Sequence, residues 1–482
     1  MLKNKYSYLS KNMLLFTISS FGQKILSFLL VPLYTSYLNT AEYGVIDLVA
    51  TTINILIPIF SLNMPEGIMR FTIEDNKGKK YLSNGIIISI KGTAFLLSLL
   101  FIASMMPSLC NYRRYFIWMF IGFIMNVLYS VCQNYLRATD GISIMVVASL
   151  LNTAVMLIAD ILFIVVIGMK FEGYYIALFL GLFVSIIYMQ SRVHIFNEIH
   201  FRELYDKTIC KSLLAYCVPT VFTGLAWWIN SSLDKYFVTG FCGISDNGIY
   251  SVAYKIPTIL GVFQTIFTQA WSISAIVEFD KNDKDGFFGN TYEMYNSCMV
   301  LVTSIIMLFN VLLSKILYSK NFFEAWHYVP SLLFATLFSA LAGYMGGIFS
   351  AVKDTKTCAY STFISAGVNI ILNIILIKKL GIIGAAYATL VAYVVSWIIR
   401  VLASRRYIKM RVSWCKSILS YALLFMQLIC ANTVSHHYGI QVLIIVLIVL
   451  IYIGNYNKIV KAAIKYIYSI YKNKKKGRQR YL

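Results

Sequence analysis

The sequence is short of charge. Of its 482 residues only 13% are charged while 59% are hydrophobic, whereas a soluble globular chain carries about 25% charged residues. Acids are scarcest, 20 Asp and Glu against 42 Lys and Arg, so a carboxylate-lined path for cations has few candidate residues. No polar stretch is long enough for a soluble domain. The longest outer connection, roughly 318–328, offers only Lys320, Glu324 and His327 besides tyrosine, which disfavours a catalytic loop and an enzyme. Nine cysteines, none in a C-x-x-C pair, form no disulfide framework, and the five histidines lack metal-ligand spacing. No cofactor or metal is expected beyond a coupling ion, H+ or Na+, which the sequence leaves open.

What is there is a succession of apolar runs of about 20 residues, the length that spans a bilayer as a helix. Fourteen can be drawn: about 12–38, 44–66, 81–107, 115–136, 142–168, 173–193, 209–240, 248–275, 292–318, 328–351, 357–377, 382–403, 414–435 and 438–456. The expected fold is an all-α polytopic membrane protein, with the first run a retained helix rather than a cleaved signal. Cytoplasmic loops are enriched in Lys and Arg. An N-terminus inside leaves only Arg113, Arg114, Lys170, Lys315, Lys320, Lys378 and Lys379 outside and Lys24, Lys91, Lys235 and Lys255 within spans. Both termini are therefore expected to be cytoplasmic. The basic tail 458–482 alternates Lys with apolar residues directly after a span, a pattern suited to anionic lipid headgroups rather than nucleic acid.

Internal repetition organises these spans. "LNTAEYGVIDLVATTINIL" (38–56) and "CGISDNGIYSVAYKIPTIL" (242–260) align at a shift of 204, with Glu42 on Asp246, Gly44 on Gly248 and Ile55-Leu56 on Ile259-Leu260. "LRATDGISIMVVASLLN" (136–152) and "VKDTKTCAYSTFISAGVN" (352–369) correspond more weakly at equivalent points in span order. Spans 1–6 and 7–12 thus read as parallel six-helix repeats, a plan known for transporters. The expected organisation is an N-terminal lobe 1–206, a C-terminal lobe 207–411, two added spans in 412–457 and the tail 458–482. Of seven prolines, Pro32, Pro58 and Pro65 fall in spans 1 and 2 and Pro219 and Pro257 in spans 7 and 8. A proline inside a helix removes a hydrogen bond and bends it. Pro32, Pro58, Pro219 and Pro257 are the candidate hinges.

A lysine near the bilayer centre costs roughly 2.5–3.5 kcal/mol. Lys24, Lys91 and Lys255 therefore read as lining a watery cavity, whereas Lys235 either snorkels or pairs with its neighbour Asp234. Asp160 and Asp234 are candidates for charge pairing or for binding a coupling ion. Asn230 and Gln264 are amide partners suited to sugar hydroxyls, and Arg70 and Arg137, at cytoplasmic helix ends, are either ordinary positive-inside residues or a receiving site for an anionic headgroup. Lysines outnumber mid-span acids, so a cationic interior that attracts phosphate is expected.

With these residues in view, the chain resembles the Wzx-type flippases, the polysaccharide branch of the multidrug/oligosaccharidyl-lipid/polysaccharide exporter superfamily. The resemblance rests on "PLYTSYLNTAEYGVIDLVATTINIL" (32–56), "NGIYSVAYKIPTIL" (247–260) and "GVNIILNIILIKKLGIIGAAYATLVAYVVSWIIR" (367–400). It implies two lobes rocking about a central cavity by alternating access. The implied cargo is a polyprenyl-pyrophosphate-linked oligosaccharide, moved across a bacterial inner membrane for O-antigen or capsule assembly, next to polysaccharide polymerase machinery. It places Lys24 and Lys255 on helices that commonly carry cavity cations, and gives the last two spans a part in grooving the lipid tail. The competing readings are a cation-coupled multidrug exporter of the same fold, a membrane polymerase or ligase, and a passive scramblase.

Overall fold

The computed structural model describes residues 22, 24, 27–75, 78–199, 205–433 and 437–457, and among them there is helix and turn but no strand. Residues 27–37 (α1) precede α2 (Thr40–Phe60), α3 (Met64–Asp75), α4 (Gly78–Met105), α5 (Arg113–Ala138), α6 (Ile142–Asp160), α7 (Phe171–Val193), α8 (Lys207–Phe241) and α9 (Ile244–Ala253). There follow α10 (Pro257–Val277), α11 (Phe287–Leu308), α12 (Asn310–Leu317), α13 (Val329–Ala351), α14 (Thr355–Leu380), α15 (Ile382–Ser404), α16 (Trp414–Ala431) and α17 (Tyr438–Ile451). Eleven described helices are long and apolar enough to cross a membrane, twelve if α11 and α12, bent by 62°, are one span. The chain is a multi-pass membrane protein. Part of the expected first span and the whole basic tail lie outside the described residues.

Two expected spans are corrected. Run 44–66 is not one helix: α2 ends at Phe60, Leu62 and Asn63 take positive φ of 50° and 54°, and α3 begins at Met64. Pro58 lies two residues before that end. Asn63 holds the break by donating its amide to Glu66 Oε2 at 2.7 Å and to Thr220 Oγ1 of α8 at 2.9 Å. Run 248–275 is likewise broken, between Ala253 and Pro257. Pro257 has no N–H to return to the carbonyl of Ala253, and it is tolerated as the first residue of α10 because that donor is not needed there. Pro219, by contrast, sits inside the 35-residue α8.

Contacts gather the chain into two compact units: residues 1–255 with 316–325 and 369–385, and residues 256–315 with 326–368 and 386–482. In the first, α2 and α9 cross at a separation that only glycine permits. A Cβ on Gly248 would fall 1.9 Å from the carbonyl oxygen of Thr40, and one on Gly44 would fall 2.1 Å from that of Ile244. Thr40 and Ile244 are themselves related by the shift of 204, so the repeat-equivalent segments pack reciprocally. Small residues allow such approach between membrane helices, and side chains fasten it: Thr40 and Ser245 hydroxyls share a 2.6 Å hydrogen bond and Asn247 donates to the Gly44 carbonyl at 3.2 Å. At the start of α8, Asp206 accepts from Thr208 and Ile209 N–H, and the Thr208 N–H above all holds this exposed carboxyl below its ordinary range.

The second unit is built on α13, whose residues are mostly buried. Tyr344 of α13 donates to the Phe288 carbonyl and accepts, through its own carbonyl, from Trp271 Nε1 at 2.8 Å. Arg400 of α15 ties three helices, donating to Ser361 and Thr362 of α14 and to the Ala342 carbonyl of α13. The last two helices are held to α11 by buried amides. Asn296 donates to Tyr452 and accepts from Tyr421, while Gln427 donates to the Ser304 carbonyl.

Gly248→Ala should lower stability by about 1–3 kcal/mol, the cost of overpacking, seen as a lower thermal midpoint in detergent. Gly240→Ala, where a Cβ meets nothing within 4 Å, serves as control; equal midpoints for the two variants would refute the crossing.

Candidate functional site

Along α2, Thr40, Gly44, Asp47 and Thr51 recur at helical spacing and face α8 and α9. Beyond the glycine crossing this stripe carries a carboxylate, and Asp47 is the centre of a buried polar cluster in the first unit. Lys235 Nζ of α8 donates to Asp47 Oδ1 at 2.9 Å, with the two side chains 15% and 18% exposed. Ser251 Oγ of α9 donates to Asp47 Oδ2 at 2.7 Å. Ser251 is the residue that the shift of 204 places on Asp47, so the repeat contact continues one turn beyond the glycines. Trp228 Nε1 donates to the Thr51 carbonyl at 3.1 Å, and Tyr236 and Thr52 hydroxyls pair at 2.6 Å.

Asp234 lies beside this pair and is 1% exposed. Its Oδ2 accepts from Tyr250 at 2.5 Å and Tyr254 at 2.7 Å, and Oδ1 accepts from the backbone N–H of Lys235. Lys255 occupies the turn between α9 and α10, two residues before Pro257, and is half-buried. A third carboxylate, Asp160 at the end of α6, is fully buried and accepts from Tyr34 at 2.6 Å through Oδ2; its Oδ1 has no partner among the described residues. Tyr34 packs edge-on to Tyr174 with 5.4 Å between ring centroids and lies 6.3 Å from Tyr43, so an aromatic group joins Asp160 to the α2 face.

The structure thus brings Lys235 to Asp47, a residue the sequence reading passed over, with Asp234 beside them on α8 and Lys255 one turn along from Ser251. Two earlier expectations change. Lys235 pairs with Asp47 rather than with adjacent Asp234, because successive residues on a helix point in different directions. The charge balance also narrows, because Asp47 joins Asp160 and Asp234 against Lys24, Lys91, Lys235 and Lys255, three acids against four lysines. The signal that could have found Asp47 is its place on the repeat, opposite Ser251 and one turn from Gly44.

The remaining candidates are dispersed. Lys24 is partly buried at the start of the described chain, and Lys91 is exposed on α4 beside Gly92, whose Cα lies against the Phe60 carbonyl. Asn230 is buried on α8 and donates to the Ala226 carbonyl within its own helix. Gln264 is in the second unit, against Gly343 of α13. Arg70 makes a surface ion pair with Glu74 one turn on, and Arg137 is exposed in the last turn of α5. Pro32 lies in α1.

Comparison with known proteins follows the same lines. Residues 9–273 match the family described as polysaccharide biosynthesis protein. The chain is similar to an uncharacterized membrane protein of Methanocaldococcus jannaschii, 23% identical over 42% of this chain and 40% of that protein. It is also similar to a probable low-salt glycan biosynthesis flippase, Agl15, of Haloferax volcanii, 24% identical over 42% of this chain and 45% of that protein. It therefore spans less than half the length of these curated relatives. Among solved structures, lipid II flippase MurJ in an inward closed conformation superposes with a TM-score of 0.71 at 16% identity, covering 93% of this chain and 99% of that one. An inward-facing multidrug resistance MATE transporter of the MOP superfamily gives 0.61 at 15% identity, covering 79% and 94%. The match over more than half of its length, on a fold shared with MurJ and the MATE transporters, shows that the chain belongs to the polysaccharide biosynthesis protein family.

Proposed function

We propose that the protein is a flippase that moves a polyprenyl-pyrophosphate-linked oligosaccharide from the cytoplasmic to the outer leaflet of a cytoplasmic membrane, for assembly of a surface polysaccharide such as O-antigen or capsule. The observation that carries this reading is the position of Lys255, in the turn between α9 and α10 and one helical turn along from Ser251, which donates to Asp47 at 2.7 Å, in a protein of this family. In this reading Lys255 attracts the passing pyrophosphate while Lys235 keeps Asp47 compensated. The interruption before Pro257 and the one after Pro58 are the places where this reading lets helices yield during alternating access. Lys24, half-buried in the same unit, is a further candidate contact for the anion, and Asn230 one for the sugar. H+ or Na+ coupling falls to Asp160, whose Oδ1 is unpartnered among the described residues, rather than to Asp234, whose oxygens are already engaged. Both termini are placed in the cytoplasm, the basic tail on anionic lipid, and the polymerase machinery beside the outer mouth.

A third buried carboxylate favours one alternative, a cation-coupled multidrug exporter, and the same experiment separates the two. Purified protein is reconstituted in vesicles carrying the lipid-linked oligosaccharide in one leaflet, and its arrival in the other is followed. Wild type moves it; no movement together with extrusion of a cationic dye under an H+ or Na+ gradient refutes the flippase. Lys255→Ala should abolish polymer export in cells at unchanged membrane abundance, and full export by that variant removes Lys255 from the path.

Asp47→Ala and Lys235→Ala should each destabilise the protein, by about 1–3 kcal/mol, the cost of leaving one member of a part-buried hydrogen-bonded pair unsatisfied. The double variant should fall short of the sum by about 0.5–3 kcal/mol. Additive losses in a double-mutant cycle of denaturation midpoints would mean the two groups do not interact.

A further inference from the structure

Residues 254–256 form the turn between α9 and α10, with Lys255 at its middle. The helical ladder is incomplete here. The Lys255 N–H donates to the Val252 carbonyl at 2.9 Å, three residues back rather than four, and Pro257 has no N–H to continue the pattern. Side chains of the first unit supply the missing constraint. Tyr254, the residue before Lys255, donates its hydroxyl to Asp234 Oδ2 of α8 at 2.7 Å. Tyr318 donates to the Val252 carbonyl at 3.0 Å, so that one carbonyl accepts from both Tyr318 and the Lys255 N–H.

Asp234 is built as an anchor. It is 1% exposed, its Oδ1 accepts from the Lys235 N–H at 3.0 Å, and its Oδ2 accepts from Tyr250 as well as Tyr254. The two tyrosines are one helical turn apart, with ring centroids 5.2 Å apart at 84° and hydroxyls 3.1 Å from each other. Hydrogen bonds to an ionised carboxylate are short and about twice as strong as neutral ones. Asp234 therefore grips both the last turn of α9, through Tyr250, and the turn that follows, through Tyr254. Consecutive Cα atoms are about 3.8 Å apart, so fixing Tyr254 fixes the start of the Lys255 side chain. The neighbouring Lys235 grips α2 instead, through Asp47.

We propose that Asp234 is the positioning residue for Lys255, acting through Tyr254: it orients the turn so that the ammonium is presented to the pyrophosphate of the cargo. This role depends on Lys255 meeting that anion. Charge and position have opposite signs here. A carboxylate acting through its field alone repels pyrophosphate, so neutralising it would tighten anion binding. A carboxylate that positions the lysine gives weaker binding when it is neutralised.

The test is native mass spectrometry of the full chain titrated with undecaprenyl pyrophosphate, alongside thermal midpoints. Tyr254→Phe keeps the ring and every charge; it should weaken binding about tenfold, inside the about 100-fold that a misplacement of about 1 Å can cost. Asp234→Asn has a single acceptor oxygen and cannot serve both the tyrosines and the Lys235 N–H; it should weaken binding although it removes a negative charge. Tyr250→Phe takes the same kind of bond from the same oxygen but lies in α9. It should lower the midpoint as far as Tyr254→Phe does and weaken binding less. In a Lys255→Ala background, Tyr254→Phe should cause no further loss of affinity, since the two act as one unit. Wild-type affinity in Lys255→Ala would remove Lys255 from the path and this role with it. Where Lys255→Ala does weaken binding, unchanged affinity in Tyr254→Phe, tighter binding in Asp234→Asn, or losses that add in full in the double variant overturn the positioning role alone and leave Lys255 in place.

Discussion

Backbone against backbone, the contact of α2 with α9 at Gly44 and Gly248 sets the geometry of everything around it. With the two main chains this close, Ser251 reaches Asp47 and the helix pair presents a carboxylate where Lys235 of α8 can meet it. A side chain at either glycine would push the helices apart and leave Asp47 buried without its hydroxyl donor. In a membrane, where lipid competes with protein for apolar surface, such close packing and the hydrogen bonds it permits are what hold helices together. The polar cluster and the crossing are therefore one structure.

The cluster follows the rule that buried charge must be compensated. Asp47 and Lys235 answer each other directly, and Asp234 is answered by two tyrosine hydroxyls and a backbone N–H. Lys255 lies in the turn before Pro257, where its own N–H donates to the Val252 carbonyl at 2.9 Å. The second unit uses the same chemistry differently: Arg400, Asn296 and Gln427 spend their donors on carbonyls, amides and hydroxyls of neighbouring helices, fastening rather than presenting charge.

Much of this was readable from the chain itself. Apolar runs of bilayer length announce a polytopic helical membrane protein, because a spanning segment must satisfy its backbone internally and face lipid outside. Pro257 marked a point where the run 248–275 yields, because proline lacks the donor that continuation needs; that a separate helix starts there came from the structure. The repeat at a shift of 204 was visible as Gly44 over Gly248 and Glu42 over Asp246. Asp47, one acid within an apolar helix, carried no comparable local signal, and counting the charges of spans without it overstated the cationic excess of the interior by one.

What the sequence by itself determined was the class of fold and the places where helices must yield, since composition, hydropathy and proline act locally along the chain. Which charges meet was decided only by tertiary structure. Lys235 and Asp47 are far apart in sequence, and adjacent Asp234 was the obvious partner on paper; the crossing of α2 with α8 and α9 brought the distant carboxylate within 2.9 Å of the lysine and turned the adjacent one toward Tyr250 and Tyr254. Ion pairing depends on distances of a few ångströms in three dimensions, and those distances are set by how closely the helix backbones approach.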